Sequence, residues 1–217
     1  MKKVALILFV SFCFGTLFAQ ESIKLQNAGN DALNAKDYAT ALSNYEKALA
    51  VWGTAPQDSV MLYNCGYCAI QVKDYDKAIK YYNLAAAHNY KAADASFKVA
   101  VLYKFQKNNE AYLKAINEGI AKYPDNTNFK GELSKNFLLE GVGHYNGGNS
   151  LLKAAIDKVN AKKYKDANDP GYKAEIAKAK KEFSDAIPSF DKAMELNPAD
   201  TKARDLKAAC EKQIKAL

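Results

Sequence analysis

The chain has 217 residues, 49% of them hydrophobic and 25% charged, with a formal net charge of +7. That length and apolar content suffice for one sizeable core or one repeat array and exclude a disordered chain. Its lysines are dispersed among acids at helical spacing, the pattern of a solvated face rather than the clustered stripe of a nucleic-acid site, so no nucleic-acid partner is expected.

At the N-terminus Lys2 and Lys3 precede an apolar run from Val4 to Phe18, followed by Ala19, Gln20 and Glu21. This is the layout of a secretory signal peptide. The run is about 15 residues, short of the roughly 20 that a membrane-spanning helix needs, so residues 1–19 are expected to be cleaved after Ala19. Cys13 follows Phe12, not the small residue that precedes a lipoprotein cysteine. The expected destination is the periplasm, or the cell exterior or outer membrane. No later segment is apolar for long enough to span a membrane.

Residues 29–48 read GNDALNAKDYATALSNYEKA and residues 66–85 read GYCAIQVKDYDKAIKYYNLA. Gly29 recurs as Gly66, Asp37 as Asp74, Ala41 as Ala78, Tyr45 as Tyr82 and Ala48 as Ala85, each 37 residues on. The glycines leave room for a helix to approach closely. Asp37 and Asp74 are placed to cap a following helix. Tyr38 and Tyr75 are expected to pack at the corner. Alanines seven apart lie on one helix face and form a small-residue seam, so the pattern predicts a helix-turn-helix hairpin.

This pattern resembles the tetratricopeptide repeat (TPR), a helical hairpin of about 34 residues. The resemblance implies repeats at about 22–55, 59–92 and 93–126, with three extra residues in the Trp52–Gln57 loop. In the third copy Ala100, Tyr103 and Pro124 hold the family's small, aromatic and terminating positions. Tyr112 and Gly119 stand there where alanines are usual, which predicts a splayed hairpin. Residues 127–198 read as a degenerate or enlarged fourth hairpin, with helices over 128–160 and 171–196. Gly147 and Gly148, followed by Asn149, leave open a kink or break in the first, with one long helix preferred, and Pro188 is expected to bend the second. Residues 199–217 read as a capping helix that covers the last apolar face. The fold class expected is therefore all-α: a right-handed TPR solenoid with a C-terminal cap.

Catalytic chemistry is sparse. His88 and His144 lack a Cys, Asp or Glu at ligand or triad spacing, so no metal is expected. Asp74 and Asp76 sit at a helix start, where acids serve as caps. Cys65-Gly66-Tyr67-Cys68 imitates a thiol-redox motif, but it falls mid-helix rather than at a helix start, where the dipole would activate a thiol. The bland reading is core packing. Cys210 is a further thiol. The chain is read as no enzyme and as needing no cofactor.

What remains is surface. In TPR arrays the concave groove is lined by the first helix of each hairpin. The resemblance implies that it presents Gln26, Asn30 and Asn34, then Tyr63, Tyr67 and Gln71, then Phe97, Val101 and Lys104, in steps of three or four that keep one face. One TPR subclass clamps a terminal carboxylate with lysine, two asparagines, lysine and arginine. Asn30 and Asn64 match the asparagines and Lys98 replaces the arginine, but Gln26 and Asp94 occupy the lysine positions. A different ligand is therefore expected: a protein or peptide bound by a non-enzymatic scaffold that associates with an envelope complex. A thiol redox protein using Cys65 and Cys68, or a carrier of a small ligand or glycan in the aromatic groove, is the alternative.

Overall fold

The computed structural model describes residues 20–52 and 57–217. Residues 1–19, read above as a signal peptide, and residues 53–56 of the loop expected to hold the extra residues lie outside the described residues. Among those described, all regular structure is helical. The elements are α1 (20–34), α2 (Tyr38–Ala50), α3 (Ser59–Gln71), α4 (Tyr75–Ala87), α5 (Ala92–Phe105), α6 (Asn109–Lys122), α7 (Thr127–Asn160), α8 (Pro170–Leu196) and α9 (Thr201–Ala216). They fall into two compact units, one ending at Pro124 and one running from Asp125 to Leu217.

The hairpin turns in the first unit repeat one device. Lys36 adopts a left-handed φ of 60°; its N–H donates to Leu33 and the N–H of Asp37 donates to Ala32. Such a reverse closure satisfies carbonyls at the end of α1. Asp37 then starts α2 by accepting from the N–H of Thr40 at 3.1 Å. Lys73 and Asp74, and then Lys107 and Asn108, repeat the arrangement. The Lys-Asp pair thus stops one helix and caps the next within two residues.

Between the helices of each hairpin a small residue faces a large one. A Cβ added to Gly29 would lie 2.6 Å from the ring of Tyr45, and one added to Gly66 would lie 3.0 Å from that of Tyr82. Both rings are fully buried. At the equivalent places in the third hairpin Ala100 and Ile116 are both fully buried: a larger small partner meets a smaller large one. Ala41, Ala48, Ala78 and Ala85 flank the rings with no exposed surface. Ala41→Leu or Ala78→Leu is therefore expected to cost about 1–3 kcal/mol, since added methylenes have no space there. Chemical denaturation would check this, and unchanged midpoints would contradict it.

The two buried tyrosines differ in one atom's fate. Tyr45 donates its hydroxyl to Asn30 Oδ1 at 2.8 Å, whereas the Tyr82 hydroxyl is buried with no partner among the described residues. The cause is sequence, because the position 37 residues after Asn30 holds Tyr67 and supplies no amide. Tyr45→Phe should lower stability by about 1 kcal/mol, while Tyr82→Phe should be neutral or stabilising. Equal losses in thermal unfolding would contradict this account.

In the second unit α7 and α8 form an antiparallel pair, and α9 adds Ala203 and Cys210 to their core. The single long helix preferred for residues 128–160 is present: α7 is one helix of 34 residues, unbroken at Gly147 and Gly148. Gly148 instead serves packing, together with Gly141. A Cβ on Gly141 would meet Phe190 at 2.6 Å and one on Gly148 would meet Phe183 at 2.7 Å, so two aromatic rings sit in two backbone notches one heptad apart. Pro188 lies within the helical span of α8. Ser134 donates to the Ala193 carbonyl at 2.9 Å, fastening the hairpin's open end.

Candidate functional site

The stripe read from the sequence lies on α1, α3 and α5, and the structure divides it. Part of it holds the repeats to one another. Gln26 is half-buried and donates to Asp58 Oδ2 at 2.5 Å, tying α1 to the cap of α3. Asn30 accepts from Tyr45, and Asn64 also hydrogen-bonds Tyr45, whose phenol burial pushes up to about 12.

Tyr63 is half-buried and held by neighbours on three sides. Its ring meets Tyr82 at 5.1 Å and Tyr90 at 5.6 Å, both edge-on, and Lys91 Nζ lies 4.9 Å from its centroid. Its hydroxyl donates to Asp94, joining α3 to α5. Burial, followed by the Asp94 carboxylate, raises its pKa well above the ordinary phenol range. Tyr63 thus contributes to packing between repeats. Its period along α3 is that of a face, and a buried face and an open one share that period.

The remaining positions are more open. Asn34 and Gln71 are exposed near the ends of α1 and α3. Tyr67 is 38% exposed, with its ring edge-on to Tyr38 at 5.7 Å. Hydrogen bonding with Tyr38 holds its phenol above the ordinary range. On α5, Phe97, Lys98 and Val101 are half-buried, and Lys98 Nζ lies 3.8 Å from Asp94. Lys104 is exposed, with its ammonium 5.1 Å from the Tyr112 centroid.

The carboxylate-clamp comparison also changes. Helices one repeat apart keep the 37-residue register between the first two hairpins, as the Gly29–Tyr45 and Gly66–Tyr82 pairs require. Tyr67, not Asn64, is then equivalent to Asn30. From the second hairpin to the third the caps Asp74 and Asn108 lie 34 residues apart. Phe97 and Val101, not Asp94 and Lys98, therefore follow Tyr63 and Tyr67. No cation stands at any of these positions, and the face is aromatic and amide in character.

Cys65 and Cys68 lie within α3 and have no exposed surface. Burial pushes the Cys68 thiol up to about 11 and Cys65 higher still, which opposes the thiolate that redox exchange requires. Cys210 is likewise buried and raised to about 11. Among the described residues no three of His, Cys, Asp and Glu gather as a metal site, and no helix is long and apolar enough to cross a membrane.

His144 does have an acidic neighbour, which sequence spacing did not reveal. Its Nδ1 lies 2.8 Å from Glu182 Oε2, across the α7–α8 pair. Both side chains are 36% exposed, and the pair joins two helix surfaces.

Residues 21–91 match the family model described as tetratricopeptide repeat. Among solved structures, a TPR repeats protein from Bacteroides fragilis is 28% identical, with 89% of this chain and 99% of that chain covered and a TM-score of 0.57. A Bacteroides ovatus protein is 14% identical, covered over 90% of this chain and 98% of its own, with a TM-score of 0.52. MamA is 14% identical, covered over 91% and 90% respectively, at 0.51. The last two likenesses are of fold. Comparison with curated proteins gives no match.

Proposed function

Starting from tetratricopeptide repeats over residues 21–91, we propose that this chain is a non-enzymatic scaffold that captures a protein or peptide on the first-helix face of its first unit. The observation that carries the reading is the division of the stripe. Gln26, Asn30 and Tyr63 are spent on holding repeats together, while Tyr67 remains 38% exposed between the exposed amides Asn34 and Gln71. A half-open aromatic flanked by amides suits a peptide: the ring supplies contact area at low entropic cost, and amides satisfy backbone groups. The proposed ligand is a neutral or aliphatic-aromatic segment rather than a terminal carboxylate, because the clamp's cations are missing.

The proposal includes export. Lys2, Lys3 and the apolar run to Phe18 support a cleaved signal, and an envelope location follows from that reading. The buried, raised thiols argue against the redox alternative.

The test is crosslinking capture in the native envelope with wild type, Tyr67→Ala and Lys47→Ala/Lys80→Ala. Lys47 and Lys80 are exposed on α2 and α4, the second helices of their hairpins. Tyr67→Ala is expected to weaken capture by about 30-fold, the equivalent of about 2 kcal/mol for a central aromatic anchor, with little change in melting. The lysine pair should leave capture unchanged. The opposite pattern would place binding on the second-helix face.

A further inference from the structure

The second-helix side of the first unit carries a cleft of about 460 Å³ between α4 and α6, floored by α5. Its origin is visible in the repeat register. One repeat earlier, between α2 and α4, the equivalent space is filled from within the chain. Tyr81 lies there 5% exposed and donates its hydroxyl to Glu46 Oε1 at 2.9 Å, with Lys77 Nζ also 2.9 Å from that carboxylate. A step of 34 residues replaces Lys77 by Ala111 and Tyr81 by Ala115; a step of 37 replaces Glu46 by Asn83. All three replacements line the cleft. The chain has kept a polar acceptor in place of Glu46 and removed the phenol that fills the space.

We propose that this cleft is a second binding site, which takes a tyrosine side chain from a protein partner. The occupant follows from what fills the same space one repeat earlier: a phenol ring seated between two second helices, its hydroxyl directed to the side chain at position 83. Asn83 Oδ1 can accept that hydrogen bond as Glu46 does from Tyr81. Ser96 and Val99 replace Leu62 and Cys65 on the floor, which gives a mixed apolar and polar bed for a ring with one hydroxyl. The rim carries Lys114 and Lys122 against the single acid Glu118, and Glu118 already lies 4.0 Å from Lys114. That excess of positive charge favours a tyrosine with carboxylates beside it. This site stands apart from the first-helix face and does not rest on the reading of Tyr67.

The test titrates the peptides acetyl-Glu-Tyr-Glu-amide, acetyl-Glu-Phe-Glu-amide and acetyl-Glu-Ala-Glu-amide into the 15N-labelled chain. The tyrosine peptide should produce saturable amide shifts at Ala111, Ala115 and Gly119. The phenylalanine peptide should bind several-fold more weakly, and the alanine peptide should give no saturable shift. Ala115→Tyr, which restores the filled groove, should abolish the response. Combined with Asn83→Glu it should raise the melting midpoint by recreating the Tyr81–Glu46 arrangement. Should Ala115→Tyr fail to fold, Ala115→Leu blocks the same space with a smaller group. Asn83→Ala should erase the preference for tyrosine over phenylalanine. The absence of saturable shifts, an undiminished response in a folded blocked variant, or shifts confined to Tyr67 and Gln71 would each overturn the proposal.

Discussion

Gly141→Ala and Gly148→Ala should each destabilise the chain by about 1–3 kcal/mol, while Gly143→Ala in the same helix should stabilise it by about 0.5–1 kcal/mol. On an isolated helix all three changes would help, because alanine loses less backbone entropy than glycine. Packing reverses the sign at two of them. The Cβ at position 141 would sit 2.6 Å from Phe190 and that at 148 would sit 2.7 Å from Phe183, rings with no exposed surface and no room to retreat. At Gly143 an added Cβ meets nothing within 4 Å. Thermal unfolding of the three variants checks this, and a common direction for all three would show that the rings are not seated in backbone notches.

The second large effect is alkaline. Burial raises the thiols of Cys68 and Cys210 to about 11 from an ordinary value of 9.0, and raises Cys65 further. Burial likewise takes Tyr45 to about 12 from 10.0, and lifts Tyr81 and Tyr82 beyond that. The native state therefore holds protons that the unfolded chain releases once the pH exceeds about 9. The contribution of these groups is fully present below pH 9 and is lost as pH rises through their native values. Each group adds up to about 1.4 kcal/mol of loss per pH unit in its window. Denaturant midpoints should be steady to about pH 8.5 and fall steeply above pH 9. In Cys65→Ala/Cys68→Ala/Cys210→Ala the fall should begin nearer pH 10, where phenols take over. A decline starting below pH 8 would contradict the burial of these groups as its cause.

The hairpins were legible because their features recur. Asp37 and Asp74 announce caps, and the alanines mark a face wherever they stand. The partner role of Lys36 and Lys73 was not legible, since lysine is an unusual residue for left-handed backbone and only the observed φ assigns it. Gly141 and Gly148 illustrate a different limit. Glycine weakens a helix locally, yet it also admits a ring from another helix, and the outcome depends on Phe183 and Phe190, distant in sequence. Within the candidate site, steps of three and four residues located the face of α3 but did not separate Tyr63 from Tyr67. That distinction is set by Asp94, Tyr82 and Tyr90 around the first ring. His144 and Glu182 met the same limit, being 38 residues apart and adjacent only across the hairpin.

Hydrogen–deuterium exchange on the full chain, with and without its crosslink-identified partner, tests the central claim most directly. The proposed mode of capture predicts added protection along α1, α3 and α5, centred on the turn of α3 that carries Tyr67, and loss of that protection in Tyr67→Ala. Protection confined to α2, α4 and α6, and retained in Tyr67→Ala, would contradict it.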